Sequence, residues 1–447
     1  MSHDSHTSPT LCHCFAETVS GNSTLNVTTE SPPTAVGGVP PDAAGGRFSA
    51  LDVIGIPGHP LAEAVPTAPP MIQVEEINDL RELSGLRLLW NSLLPQTPNA
   101  TFFQSLDWLE VYWKHFGGRD RLRVLVVSSD ARPVGILPLV VRNESTRLGR
   151  MRVLTYPLHD WGTFYGPIGP NPTATLTAGL RHVRQTRRDW DLLDLRWVDL
   201  DGCDRGRTEA ALRRTGFEPR KQAWDQAATI ELPDTWDEYW QSRTTKWRRN
   251  VRRLIRRMAE RGKICFLRYR PCGATEGDVD PRWDLYDTCV ELAQLSWQGS
   301  SINGTTLSHP QVRDYLRDTH AAAARSGSVD LNVLRLGGRP IAFVYCYRYD
   351  GRVYGLRRGF DPEFSTFGPG EVLMRMMLQD GIARGDTFYD LGVGSLDAKR
   401  RWQTSLATSY RFTHFPACGA RAQLMRMRRW MQNRVQGEAS IACARSA

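Results

Sequence analysis

A chain of 447 residues in which 41% are hydrophobic is long enough for two domains, and it holds no apolar run near the ~20 residues a membrane-spanning helix needs. Its net charge of +9 is unevenly spread: residues 1–70 carry six acids and one arginine, Arg243 to Lys263 carries ten bases against Glu260, and Gly419 to Ala447 carries six bases against Glu438. Those two basic segments account for the whole excess, so the remaining body is neutral, which argues against a general nucleic-acid binder and for local contacts with phosphate or an acidic surface.

Residues 1–70 are rich in Ser, Thr, Pro and Gly without periodicity and read as a disordered leader. No basic start followed by an apolar core signals secretion, so the expected location is the cytoplasm, where the sequons at Asn22, Asn26, Asn143 and Asn303 are chance matches. Nine scattered cysteines do not form a disulfide framework. Cys12-His13-Cys14 lacks a second pair of ligands, and no metal is expected.

From Ile72 the pattern becomes that of a folded domain. Leu80, Leu83, Leu86, Leu89 and Trp90 predict one helix, and Leu106, Trp108, Leu109, Tyr112, Trp113 and Phe116 a second, ended by Gly117-Gly118. Arg123 to Ser128 and Val134 to Val141 form a hairpin about Asp130-Ala131-Arg132. The loop Tyr165-Gly166-Pro167-Ile168-Gly169-Pro170 precedes a helix through Leu176, Leu180 and Val183, and Thr229 to Leu232 is a closing strand. Next, Trp236, Trp240, Trp247, Val251, Leu254, Ile255 and Met258 lie on one stripe of a basic amphipathic helix whose other faces carry arginines. Three readings stay open for that charge: a solvated face over a packed stripe, a site for polyphosphate such as the CoA 3′-phosphate, a nucleotide sugar or RNA, or contact with an anionic membrane surface.

Helices over Trp283 to Trp297 and Gln311 to Arg325 flank a Gly/Ser/Asn-rich loop, Gln298 to Pro310, placed to act as a lid. Leu331 to Leu336, Ile341 to Tyr347 and Val353 to Phe360 alternate as a three-stranded meander. Phe367-Gly368-Pro369-Gly370 then opens a helix through Val372, Leu373, Met376, Met377 and Ile382, stopped by Gly385, with strand Phe388 to Leu391 after it. A glycine turn into a helix N-terminus presents backbone N–H groups and a positive dipole end, a site for phosphate. Leu406 to Phe415 is a last strand, and a basic tail with the stripe Leu424, Met427, Trp430, Met431 and Val435 follows.

An internal echo points to duplication. Ala131 to Ile136 matches Gly338 to Phe343 at an offset of 207, and Asp191 to Leu195 matches Thr387 to Leu391 at an offset of 196. Meander, glycine turn, helix and strand in that order resemble the acyl-CoA-binding half of the GNAT acyltransferases. Phe360-Asp361-Pro362, Gly368-Pro369-Gly370, Tyr389-Asp390-Leu391-Gly392 and Lys399 to Trp402 resemble more closely the CelD/BcsL-type acetyltransferases of cellulose and exopolysaccharide synthesis, distant relatives of the Fem-type aminoacyl transferases.

The resemblance implies an α/β protein of two tandem GNAT-like domains, residues 71–233 and 234–415, with the co-substrate, acetyl-CoA or another acyl-CoA, in the second. It places the pyrophosphate on the amides of Gly368, Gly370, Glu371 and Val372, although Gly368 stands where the branch commonly has Ser. Asp390, a carboxylate ending an apolar strand, is the first candidate for general base or acceptor-orienting group. Lys399 matches a lysine that the branch places after the same strand, with Ala398 where an aromatic residue is usual; a surface salt bridge is its other reading. Asp160, in the His159-Asp160 pair of the first domain, is a further candidate, while alternation puts Tyr389 on the face opposite Asp390. The expected reaction is direct acyl transfer to an amine or hydroxyl of a saccharide or cell-envelope precursor. Alternatives are a Fem-type aminoacyl-tRNA-dependent transferase and a non-catalytic accessory protein of polysaccharide synthesis.

Overall fold

The computed structural model describes residues 12–14, 71–146, 149–158, 161–300 and 306–431. Apart from Cys12–Cys14, the expected leader lies outside the described residues, as do His159, Asp160 and the tail from residue 432. In chain order the elements are β1 (Cys12–Cys14), β2 (Ile72–Ile77), α1 (Leu80–Gly85), α2 (Arg87–Leu93), α3 (Leu106–Phe116), β3 (Arg121–Ser129), β4 (Arg132–Thr146), β5 (Gly149–Thr155), α4 (Pro172–Gln185), β6 (Leu192–Val198), α5 (Arg207–Arg214) and β7 (Arg220–Glu231). There follow α6 (Trp236–Gln241), α7 (Thr245–Ala259), β8 (Ile264–Tyr269), α8 (Trp283–Leu295), α9 (Arg313–Arg325), β9 (Val329–Leu336), β10 (Arg339–Tyr349), β11 (Arg352–Phe360), α10 (Pro369–Ala383), β12 (Phe388–Val393), α11 (Leu396–Lys399) and β13 (Ser405–His414), and a helix over 420–431.

All the strands join in one mixed sheet, ordered β1-β8-β9-β10-β11-β12-β7-β13-β6-β5-β4-β3-β2. Inside the edge strand β1, which has no counterpart, the order read inward from the two sides repeats: β8 to β12 matches β2 to β6. The parallel pairs, β11 with β12 and β5 with β6, are each joined through a helix, α10 or α4. The two halves are thus two copies of one strand and helix arrangement. Their closing strands change places at the centre, where β7 of the first half pairs with β12 of the second and β13 returns to β6. A boundary after Pro233 therefore falls between strands that have crossed to the other side.

The sequence echo has a structural counterpart. The turn before β10 is Gly337-Gly338, with φ of 57° and 89°, and the turn before β4 is Asp130-Ala131, with φ of 50° and 61°. Both are left-handed pairs of the kind that match hairpin twist. Along β10, Phe343, Tyr345 and Tyr347 enter the core shared with α8 and α9, while Ile341, Val344 and Cys346 face the core of α6, α7 and α10.

Two differences from the sequence reading concern helices. The stretch from Trp236 to Met258 is two helices rather than one, because Ser242 ends α6 and the Thr244 side chain accepts the Trp247 N–H to cap α7. Likewise the first expected helix breaks at Leu86 into α1 and α2. Strands β2, β5 and β8 are additions that short apolar runs did not distinguish. Among the described residues no helix is long and apolar enough to cross a membrane.

Candidate active site

β11 and β12 run parallel and pair only over Arg352–Tyr354 against Phe388–Asp390. Two irregularities then turn them apart. Leu356 is an extra residue in β11, since Tyr345 pairs with Arg357 and Cys346 with Gly355, and β12 shifts register against β7 between Asp390 and Val393. Glycine is needed where the strands are closest, because a Cβ on Gly355 would lie 2.9 Å from the Asp390 carbonyl oxygen. Beyond that point opens a cleft of about 470 Å³, floored by the ends of both strands and by Lys399. Trp161, Gly162 and Thr163 from the first half and Trp297 and Thr306 from the second complete its walls.

Asp390 is 2% exposed. Its Oδ1 accepts the Gly392 N–H at 2.7 Å, and the Thr163 hydroxyl also hydrogen-bonds its carboxylate. Burial raises its pKa above the ordinary aspartate value, partly offset by Thr163, Gly392, Lys399 and Arg352. Lys399 stands beside it, 5% exposed, with Nζ donating to the carbonyls of Gly392 and Val393, each at 2.8 Å. It is thus a buried clasp on the strand end, not a surface salt bridge. Burial, reinforced by Arg358, brings its pKa down to about 8. Two of three N–H bonds hold the backbone, which leaves one for the cleft.

Alternation separates Tyr389 from Asp390, as the pattern implied. The Tyr389 hydroxyl lies 3.3 Å from Cys346 Sγ in the core on the α10 side, where burial holds its pKa well above the ordinary tyrosine value. Asp160 falls outside the described residues, but the residues that follow it, Trp161 to Thr163, line the cleft, and Thr163 reaches Asp390.

The glycine turn departs from the expected phosphate cradle. Gly368 adopts φ 59° as the N-cap of α10, and its carbonyl accepts the N–H groups of both Glu371 (3.0 Å) and Val372 (3.2 Å). Its own N–H goes to the Ser365 carbonyl at 3.1 Å. Of the four expected amides, only that of Gly370 is not consumed in closing the turn. The Val372 side chain is fully buried. The Glu371 carboxylate accepts Trp402 Nε1 at 2.6 Å, with its pKa raised by burial against the pull of Trp402, Arg358 and Arg401. The turn still adjoins the cleft, since Met374, one turn into α10, lines it.

Three contributors were not singled out from the sequence. Arg358 lines the cleft, and its charge acts on both Lys399 and Glu371; a basic residue at a half-buried position of an apolar strand was its signal. Thr163 had none beyond the aromatic loop around it. Gln298 opens the expected lid: buried, it donates to the Arg358 carbonyl at 3.2 Å and accepts the Leu307 N–H at 3.0 Å, stapling that loop to β11. On α7, Trp247, Val251, Leu254, Ile255 and Met258 pack inward while Arg249, Arg252, Arg253, Arg256 and Arg257 are exposed. Arg257 and Arg261 lie over the Phe367 ring at 5.6 and 5.7 Å, so part of this basic face rims the glycine turn.

Residues 245–400, from the start of α7 through Arg400, match the acetyltransferase (GNAT) domain family. The protein is an acyltransferase. In structure this acyltransferase is similar to FemX, at 14% identity and a TM-score of 0.53, over 77% of this chain and 97% of that one. It is also similar to a conserved protein of unknown function from Bacteroides thetaiotaomicron (11% identity, TM-score 0.48, 77% and 100% covered) and to a tandem GNAT protein from the clavulanic acid biosynthesis pathway (10%, 0.43, 78% and 100%). A comparison with curated proteins gave no match.

Proposed function

We propose that the cleft between β11 and β12 carries acyl transfer from acyl-CoA to an amine or hydroxyl on a saccharide or cell-envelope precursor, in the cytoplasm and within one ternary complex. The observation that carries this reading is the pair Asp390 and Lys399, buried side by side where two parallel strands part, inside the segment that matches the acetyltransferase domain. Asp390 takes the proton of the acceptor as its nitrogen or oxygen bonds to the thioester carbon. Its raised pKa suits that task better than an ordinary carboxylate would. Lys399 and Arg358 face the charge that develops as the carbon–sulfur bond breaks and the thiolate departs. Positioning supplies most of the rate, and no covalent enzyme intermediate is required. The Gly370 N–H and the arginines at the Phe367 ring would hold the pyrophosphate end. The likeness of Tyr389-Asp390-Leu391-Gly392 and Lys399 to Trp402 to the CelD/BcsL-type acetyltransferases is what favours a saccharide acceptor.

The test is calorimetric titration of acetyl-CoA into the full chain and its Gly370→Asp variant. A Cβ at Gly370 meets nothing nearer than Phe360 Cδ1 at 3.8 Å, so the variant should fold while placing a negative charge against the phosphates. Binding by the parent that is lost in the variant supports the reading; a parent that does not bind acetyl-CoA overturns it. The exposed arginines of α7 favour one second reading, an aminoacyl-tRNA donor as in the Fem-type transferases. RNA binding that weakens steeply with salt, in a chain that ignores acetyl-CoA, would select it.

A further inference from the structure

The helix over 420–431 follows β13 and lies far in sequence from the cleft residues. One side is fixed to the body: Ala422 and Met425 pack with Met151, Val153, Leu192 and Phe415. Arg421 donates to the Arg150 carbonyl at 3.3 Å, Gln423 to the Pro416 carbonyl at 2.9 Å, and Arg429 reaches Thr413 Oγ1 at 3.1 Å. The other side carries apolar side chains that are about half exposed, with Leu424 at 48%, Met427 at 52%, Trp430 at 48% and Met431 at 45% exposure. Elsewhere among the described residues, exposed large apolar side chains are scattered along the chain; here four fall within eight positions.

Helical geometry sorts this face further. At roughly 100° per residue, Leu424, Met427 and Met431 fall within about 60° of one another, opposite Ala422 and Met425. Trp430 extends the strip along one edge. Arg421 and Arg428 flank it on one side and Arg426 on the other, and the segment contains no acid. The exposed Arg150, and Arg188 with Nη1 3.9 Å from Cys418 Sγ, continue the positive rim onto the body.

We infer that this face docks the protein on an anionic bilayer surface. An apolar strip bearing a tryptophan and bordered by arginines is the pattern of a helix lying in the lipid interface. The charge complements anionic headgroups. A second copy is the weaker occupant on area: a strip about 12 Å long and about 10 Å wide offers roughly 120 Å², against the ~800 Å² each partner of a stable dimer buries.

The test is co-sedimentation of the full chain with vesicles of phosphatidylcholine mixed with phosphatidylglycerol, and with vesicles of phosphatidylcholine alone. The parent should bind the mixed vesicles preferentially. Binding should fall about tenfold or more in Leu424→Ser/Met427→Ser/Met431→Ser and in Arg426→Gln/Arg428→Gln. These side chains are outside the packed core, so thermal melting shows whether each variant is folded. Arg249→Gln/Arg252→Gln/Arg256→Gln on α7 serves as the counter-variant and should keep vesicle binding. The inference is overturned if the parent ignores the mixed vesicles, if the helix variants bind as it does, or if only the α7 variant loses binding. A parent dimer by light scattering that the triple substitution dissociates, without vesicle binding, overturns it in favour of a second copy.

Discussion

The two halves carry an aspartate at the same place and use it in opposite ways. At the offset of 196 that relates β6 to β12, Asp194 corresponds to Asp390 and Cys203 to Lys399. Asp194 is saturated: Arg196 donates to it at 2.9 Å, Arg411 Nε at 3.0 Å and Thr413 at 2.7 Å, with a second bond from Arg411 Nη2. Although burial alone would raise its pKa, these arginines hold it well below the usual range. Asp390 has a backbone N–H and a threonine hydroxyl, and burial prevails. The gaps between the parallel strands differ in the same sense. In the first half Tyr165 inserts its N–H onto the Trp197 carbonyl near the end of β6 at 2.8 Å and Ile168 bridges to Ile136 on β4, and the pocket beside that strand end, about 70 Å³, is lined by no residue of β5. In the second the gap stays open at about 470 Å³. One fold thus supplies a sealed, charge-neutralised copy and an open copy with a poised carboxylate, and the surrounding side chains decide which is which.

The comparison breaks most sharply at the aspartates. Asp390→Asn should lower kcat for acyl transfer by about 100- to 10,000-fold, the range for loss of a positioned base, with acetyl-CoA binding retained. CoA release followed spectrophotometrically, beside calorimetry, reads both; a variant with parental kcat would remove Asp390 from the proposed chemistry. Asp194→Asn should instead cost about 3–5 kcal/mol of stability, because it strands Arg411 buried without its carboxylate and leaves Arg196 with Glu144 alone. Denaturant unfolding checks this. Its folded fraction should keep parental kcat, and the reverse pattern, a stable but inactive protein, would mean the sealed half takes part in catalysis.

How legible this was from the sequence follows from the kind of interaction involved. The meander, the glycine turn and the strand ending in Asp390 were legible because alternation, turn glycines and helical spacing are local. Duplication was legible from two short echoes, and the topology repeats it. The exchange of β7 and β13 was not, since strand order is set by long-range pairing that neither strand's own pattern records. Asp390 and Lys399 could be named, but not their partners. That Lys399 closes on two carbonyls, and that Thr163 arrives from the other half, depend on the fold bringing distant residues together. The glycine turn was over-read: spacing shows where a helix starts, but not that Gly368 spends the amides of Glu371 and Val372 on its own carbonyl.

pH sharpens the contrast further, because the two aspartates must act with opposite sign. Asp194 has a folded pKa below the ordinary 3.8, so the stability it contributes is present above 3.8 and is lost as pH falls through the folded value. The deficit of Asp194→Asn against the parent should therefore be full at neutral pH and shrink in acid. For Asp390 the folded pKa is raised, so its contribution is present below 3.8 and is lost as pH rises through the folded value. Asp390→Asn should gain on the parent over that same rise. Melting temperatures of the three proteins across the acid range read both trends, and parallel curves would show that the carboxylates sit in equivalent environments after all.

The smallest expected effect belongs to Lys399, which has no charged counterpart in the first half. Its pKa is brought from 10.5 to about 8, so below pH 8 both folded and unfolded chains hold the proton and the burial cost is fully felt. Between about 8 and 10.5 the folded chain has released that proton while the unfolded chain still binds it, so this group makes stability rise with pH, by at most about 1.4 kcal/mol per pH unit. Lys399→Met cannot titrate and should lack that rise, which shows as a difference from the parent that widens across the window whatever the other lysines and tyrosines do. A difference that stays constant from pH 7 to 11 would mean that the ammonium is hydrated as it would be at the surface. Lys399 would then be a clasp on the backbone without the lowered pKa that sets the open copy apart from the sealed one.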